Sequence, residues 1–188
     1  MKLFFYDLET TGTSPFRNGI HQISGMIEID GVVKEEFNYY VQPNPDAKIE
    51  ESALQVGGVT KEQIMAYPPM ADVYGKIVKM LEKYVDKFNK TDKFHLVGYN
   101  NAAFDNPFFR TWFAQNGDRY FGSWFWADTI DVMVMASYAL AEHRGQLENF
   151  KLATVAAAMG VEVKTDDLHN AMYDIMLTKA VFDKITNR

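Results

Sequence analysis

Cysteine is absent from the 188 residues, which excludes disulfide frameworks, thiolate zinc sites and cysteine nucleophiles. No apolar run approaches the roughly 20 residues needed to span a bilayer. The first apolar stretch lasts from Leu3 to Tyr6 before Asp7 interrupts it, so no cleavable signal is expected. The natural setting is a cytoplasmic enzyme or binding protein with no membrane partner. Positive charge is also scarce: 19 Lys and Arg face 25 Asp and Glu, for a net charge of −6. That argues against holding nucleic acid by a broad basic surface. A nucleic-acid enzyme stays open, because carboxylates that hold divalent cations raise the acid count and the bound metals reverse the local sign. Repeats, low-complexity segments and long linkers are missing too. A single domain over residues 1–188 is expected, with ample chain for a core.

Aromatic residues are abundant: 14 Phe, 10 Tyr and 3 Trp. They are concentrated in segments that read as buried. In "KLFFYDLETTGTS", Leu3, Phe4, Phe5 and Tyr6 form a strand apolar on both faces, and Asp7 and Glu9 follow where it leaves the core. Two further strands, about 20–29 and 32–42, are joined at Asp30-Gly31, a strong hairpin signal. Val73, Ile77, Met80, Leu81, Tyr84, Val85 and Phe88 predict an amphipathic helix from Met70 to about Phe88. "FHLVGY" predicts a short buried strand over 94–99. "AAFDNPFFRTWFAQNG" predicts a helix closed by Gly117, with Pro107 tolerated in its first turn. "SWFWADTIDVMVMASYAL" predicts a strand running into a helix capped by Asp128 or Thr129. Further helices are expected over "FKLATVAAAMG" and from about Leu168 to Ile185. The fold class is α/β, a mixed sheet with helices on its faces.

Three acidic features carry chemistry. Period two puts Asp7 and Glu9 on one face of the first strand, with same-face Cα atoms roughly 6.5–7 Å apart, so both carboxylates can converge on one small cation. Left uncompensated beside a buried strand, two anions would cost several kcal/mol. The turn Thr10-Thr11-Gly12 follows, and its backbone N–H groups could approach a ligand. Asp105 opens a helix directly after a short buried strand, where ligand sites of α/β sheets gather; a lone Asp there also suits the helix dipole. Asp174 lies in the last helix, with His169 five residues earlier. On a regular helix these two would stand about 140° apart, so cooperation requires His169 to precede the helix or sit in its first turn. Alone, such a His reads as a surface or capping residue.

"DLETTG", "NNAAFD" and "HNAMYD" resemble, in order and spacing, the three motifs of the DEDDh-group 3′→5′ exonucleases. That group includes ribonuclease T-like enzymes and the proofreading subunit of bacterial replicative polymerase. "LQVGGVTKEQI", "WADTIDV" and "FKLATVAAAMGVEV" extend the resemblance over nearly the whole chain. It implies a ribonuclease H-like fold: a five-stranded mixed sheet, its first three strands an antiparallel meander, with helices on both faces. It implies two-metal hydrolysis with Mg²⁺ or Mn²⁺, two ions per site. Asp7 would bridge both ions, Glu9 and Asp174 would hold the nucleophile-side ion, and Asp105 the leaving-group-side ion. His169 would be the general base. Thr10, Thr11, Val56, Asn101 and Phe104 would contact substrate, the 3′ end of single-stranded DNA or, as the alternative, short RNA. A non-catalytic binding module on the same fold is the rival from another class. Proofreading members often carry His where this chain has Gly57 and Asn100, and Gly where it has Asn170. A polymerase or replication partner is an expectation without a recognisable tether. The remaining histidines, His21, His95 and His143, match nothing and read as structural or exposed.

Overall fold

The computed structural model describes residues 1–164 and 170–188. A five-stranded sheet is built from β1 (Lys2–Thr10), β2 (Ile20–Ile29), β3 (Val32–Tyr40), β4 (His95–Gly98) and β5 (Ile130–Asp131) in the spatial order β3-β2-β1-β4-β5. The first three strands form an antiparallel meander, and β4 and β5 run parallel to β1. This is the mixed sheet expected of a ribonuclease H-like fold. Asp30 (φ 52°) and Gly31 (φ 82°) turn the β2–β3 hairpin in the left-handed conformations that a tight two-residue loop demands.

Strand β1 lies between its neighbours and is buried on both sides, which is why it reads as continuous apolar sequence. Phe4, Tyr6 and Leu8 enter a layer dense in aromatic rings. That layer is closed by α3 (Met70–Glu82) and α4 (Asp105–Gln115), with Phe109 as a hub touching Phe4, Phe113, Phe121 and Phe125. Leu3 and Phe5 point the other way, into an aliphatic layer under α6 (Val132–Ala139), α7 (Leu152–Ala158) and α8 (Ala171–Thr186). Shorter helices α1 (Glu51–Val56), α2 (Lys61–Met65) and α5 (Phe121–Trp124) lie in the connections. Among the described residues no helix is long and apolar enough to cross a membrane.

Four expectations need correction. Helix α3 ends at Glu82 rather than near Phe88, which stands 85% exposed. The carbonyl of Tyr84 turns to Lys2 Nζ, the Asp86 N–H donates to Asp92, and the Asp86 side chain accepts from the Phe88 N–H, so a local turn competes successfully with the helix. The "SWFW" segment is a helical turn, α5, not a strand; pairing there shrinks to a Phe94–Phe125 bridge and the two residues of β5. The cap of α6 is Asp131, which accepts from the Met133 N–H at 3.0 Å, not Asp128 or Thr129. Helix α8 begins at Ala171 with Asn170 as N-cap, its side chain accepting from the Met172 and Tyr173 N–H groups.

Candidate active site

The carboxyl end of β1 brings two of the sequence motifs into contact. Asp105 is the first residue of α4, which follows β4, the parallel neighbour of β1. Its buried carboxylate accepts a hydrogen bond from the Leu8 N–H at 3.2 Å, which fixes α4 to the strand beside Asp7. Burial pushes the Asp105 carboxyl up to about 7; the hydrogen bonds from the Leu8 and Asp105 N–H groups oppose this, while Glu9 and Asp131 add to it. Asp7 is half-buried and lies against Tyr99, Ile175 and Thr178, beneath α8. Its proton affinity is raised well above the ordinary carboxylate range by burial first, then by Asp105, Glu9 and Asp174. Four acids from three segments therefore act on one another across this end of the strand. Tyr6 adds its hydroxyl, which donates to Asn106 Oδ1, and its ionisation is suppressed by burial and then by Asp105, Asp7 and Asp131.

The donor set is all carboxylate oxygen, the chemistry that Mg²⁺ and Mn²⁺ select. Asp7, Glu9, Asp105 and Asp174 thus suit a divalent cation by the chemistry of their donors. Among the described residues, no three His, Asp or Glu side chains stand close enough to form a finished cage. The fold supplies the convergence of the segments rather than final ligand geometry. His169, the expected base, lies outside the described residues.

The expected substrate contacts divide into two kinds. Val56 ends α1 with 73% of its surface exposed, free to meet a ligand. Phe104 is half-buried, its ring 5.3 Å from Phe108, and precedes Asp105. Thr10 and Thr11 are buried instead. The Thr10 hydroxyl donates to the Gly12 carbonyl, and the Thr11 hydroxyl donates to the Lys48 carbonyl and accepts from the Gly19 N–H. Both side chains hold the loop together. Asn101 is fully buried, its amide donating to Thr129 Oγ1 at 2.9 Å, while its Oδ1 has no partner among the described residues.

Two side chains at this end escaped sequence reasoning. Asp131 grips the loop between β4 and α4 with both carboxylate oxygens, accepting from the Asn100 N–H at 3.0 Å and the Ala102 N–H at 3.2 Å. This holds Asn100 in a left-handed conformation (φ 62°) that few residues other than glycine adopt readily. An acidic residue directly before an apolar helix was the available signal. His21 is the extra residue of a β-bulge, where the β1–β2 register slips between Glu9–Gln22 and Thr10–Ile20. It is fully buried, and neither ring nitrogen has a hydrogen-bond partner among the described residues. Burial pushes its pKa down to about 4. A methyl group on Gly57 would lie 3.7 Å from this imidazole and 3.8 Å from Glu9 Oε2, so the three residues surround one point.

A family model described as Exonuclease, RNase_T, matches residues 4–182. Ribonuclease T of Hahella chejuensis is 28% identical over 188 residues, covering 97% of this chain and 82% of that protein. Exodeoxyribonuclease I of Escherichia coli strain K12 is 29% identical over 200 residues, covering 98% of this chain and 40% of that protein. The fold is similar to the zinc-ion-bound form of E. coli exonuclease I in its single-stranded DNA complex, with a TM-score of 0.76 at 24% identity. That likeness covers 99% of this chain and 40% of that one. The chain thus spans most of the ribonuclease and less than half of exonuclease I.

Proposed function

The chain belongs to the exonuclease family, and on that premise we propose that residues 1–188 form one 3′→5′ exonuclease domain. It hydrolyses the terminal phosphodiester of single-stranded DNA and releases nucleoside 5′-monophosphates. One observation carries this reading. Acids from three separated segments meet at the carboxyl end of β1, with Asp105 bonded to Leu8 and Asp7 pressed by Asp105, Glu9 and Asp174.

Asp7, Glu9, Asp105 and Asp174 would hold two divalent ions. When bound, such ions stabilise the attacking and leaving oxygens of an in-line displacement. The chain's own residues supply the rest. His169 accepts a proton from the attacking water as its oxygen bonds to phosphorus and the bond from phosphorus to the 3′ oxygen breaks. Val56 and Phe104 offer apolar surface to the last base, a contact that tolerates any sequence. The Asp105–Leu8 and Asp131–loop hydrogen bonds fix the acids so that little reorganisation accompanies reaction.

Similarity to a ribonuclease T across 82% of its length supports a second reading, a 3′→5′ exoribonuclease. The experiment uses 5′-labelled single-stranded DNA and RNA with Mg²⁺, Mn²⁺ or chelator. A ladder shortening from the 3′ end, abolished by chelator and by His169→Ala, is the expected result, and the preferred polymer decides between the readings. Internal cuts in a 3′-blocked strand would establish an endonuclease. Metal-dependent retention without cleavage would establish a binding module.

A further inference from the structure

We propose that the groove along the first turns of α4, between Phe16 and Arg110, binds the nucleotides on the 5′ side of the scissile phosphate, a subsite that deepens the exonuclease reading and rests on it. The groove, of about 620 Å³, is lined by Phe16, Ala102, Asn106, Pro107, Arg110 and Thr111, with the segment 127–129 as its floor. It starts one residue beyond Asp105. Its two banks continue the two segments that meet at the acids: the loop leaving β1 carries Phe16, and the first turns of α4 carry Asn106 and Arg110. The opposite side of the site, where Glu9, His21 and Gly57 surround one point and Val56 stands exposed, is the place for the 3′-terminal nucleotide.

Phe16 is 86% exposed, yet the turn that carries it is firmly braced. The Arg17 and Asn18 N–H groups donate to the Ser14 carbonyl. The Asn18 side chain accepts from the Ser14 N–H and donates to the carbonyls of Thr11 and Lys48. A bare ring on a braced turn is ready to stack a base with little ordering penalty. Across the groove, the Arg110 guanidinium lies 4.6 Å from the centroid of the buried Phe121 ring, and its field reaches the Tyr6 hydroxyl beside Asp105. It is the one cation lining the groove among the described residues, and suits a phosphate. Asp128, also in the lining, repels the polyanion from the floor and keeps phosphates on the Arg110 bank.

The test measures binding by fluorescence anisotropy of 5′-labelled dT8 with Ca²⁺ present, beside hydrolysis of dT2 and dT8 with Mn²⁺. Phe16→Ala and Arg110→Gln should each weaken dT8 binding about ten-fold. Each should raise KM on dT8 more than on dT2, with kcat within two-fold and an unchanged melting temperature. Arg110→Gln should also flatten the dependence of log affinity on log salt by about 0.7. Unchanged dT8 affinity in both variants, equal losses on dT2 and dT8, or no dT8 binding by the unmodified protein would overturn the groove. Binding that responds to both substitutions without hydrolysis by the unmodified protein would instead sink the exonuclease reading and leave the groove standing.

Discussion

Helix α8 crosses one face of the sheet and meets two strand acids. From its middle it supplies Lys179 Nζ to Glu28 of β2, 1% exposed, at 2.7 Å, and Arg188, just beyond its carboxyl end, reaches the same carboxylate at 3.4 Å. Toward its amino end it brings Asp174 to Asp7, which Asp105 and Glu9 already crowd. The same helix therefore neutralises one acid and adds negative charge around another. This fold can place cations against a buried carboxylate where only stability is at stake. At the carboxyl end of β1 it concentrates acids, and that frustration is what a site for divalent cations requires.

Changing Asp7 should give the largest effect, and its two consequences should have opposite signs. Asp7→Asn should lower kcat at least about 10³-fold, equivalent to about 4 kcal/mol of barrier. In chelator it should raise the melting temperature, because the ionised carboxyl is disfavoured in the folded state. Activity and melting measured on one preparation check both. A melting temperature that falls would mean Asp7 is stabilised where it stands.

Adding Mn²⁺ or Mg²⁺ sharpens the contrast from the other direction. At about 100 times the dissociation constant, the metal should stabilise the unmodified chain by about 2.7 kcal/mol. Asp7→Asn should lose most of that gain, and Glu28→Gln should keep it. Thermal melts in a metal titration read the difference. Glu28→Gln itself comes next: it takes one of two carboxylate partners from Lys179, which keeps Asp183 at 2.7 Å, and should cost about 1.5 kcal/mol in urea unfolding, below the usual loss for a buried pair. Its kcat should not change.

Strand β1 was legible in the sequence because burial on both faces leaves an unbroken apolar run, and Asp7 and Glu9 break it where the site begins. The hairpin was legible for a local reason, since Asp30-Gly31 suits few other conformations. Asp105 was found because a short apolar strand followed by a helix start marks a ligand-binding edge. The premature end of α3 was hidden, because Lys2, far away in sequence, takes the Tyr84 carbonyl while the Asp86 and Asp92 side chains take the N–H groups of a local turn. The role of Asp131 depends on two N–H groups about thirty positions earlier. The pairing of Glu28 likewise spans the chain. Such long-range polar partners leave no periodic trace, and a lone His such as His21 reads alike whether it is exposed or buried beside Glu9.

The smallest effect concerns that histidine, and it separates the two ends of the molecule by pH. Buried neutral, His21 has its folded-state pKa pushed down to about 4 from an ordinary value near 6.5. Its contribution to stability is therefore fully present above about pH 6.5 and is lost as pH falls toward 4, because the unfolded chain takes up the proton first. Asp105, pushed up to about 7, works oppositely: its ionised form destabilises the fold, and acidification relieves that strain. In chelator Asp105 acts together with Asp7, whose carboxyl burial also raises, and the two outweigh His21, so the unmodified chain should gain stability as pH falls from 7 to 5.5. His21→Leu removes one side of the balance and also removes two ring nitrogens without partners among the described residues. Relative to the unmodified chain, the variant should gain about 1 kcal/mol between pH 7 and 5.5. Urea unfolding at the two pH values measures it. A His21→Leu profile parallel to that of the unmodified chain would mean that His21 does not stay neutral in the folded chain.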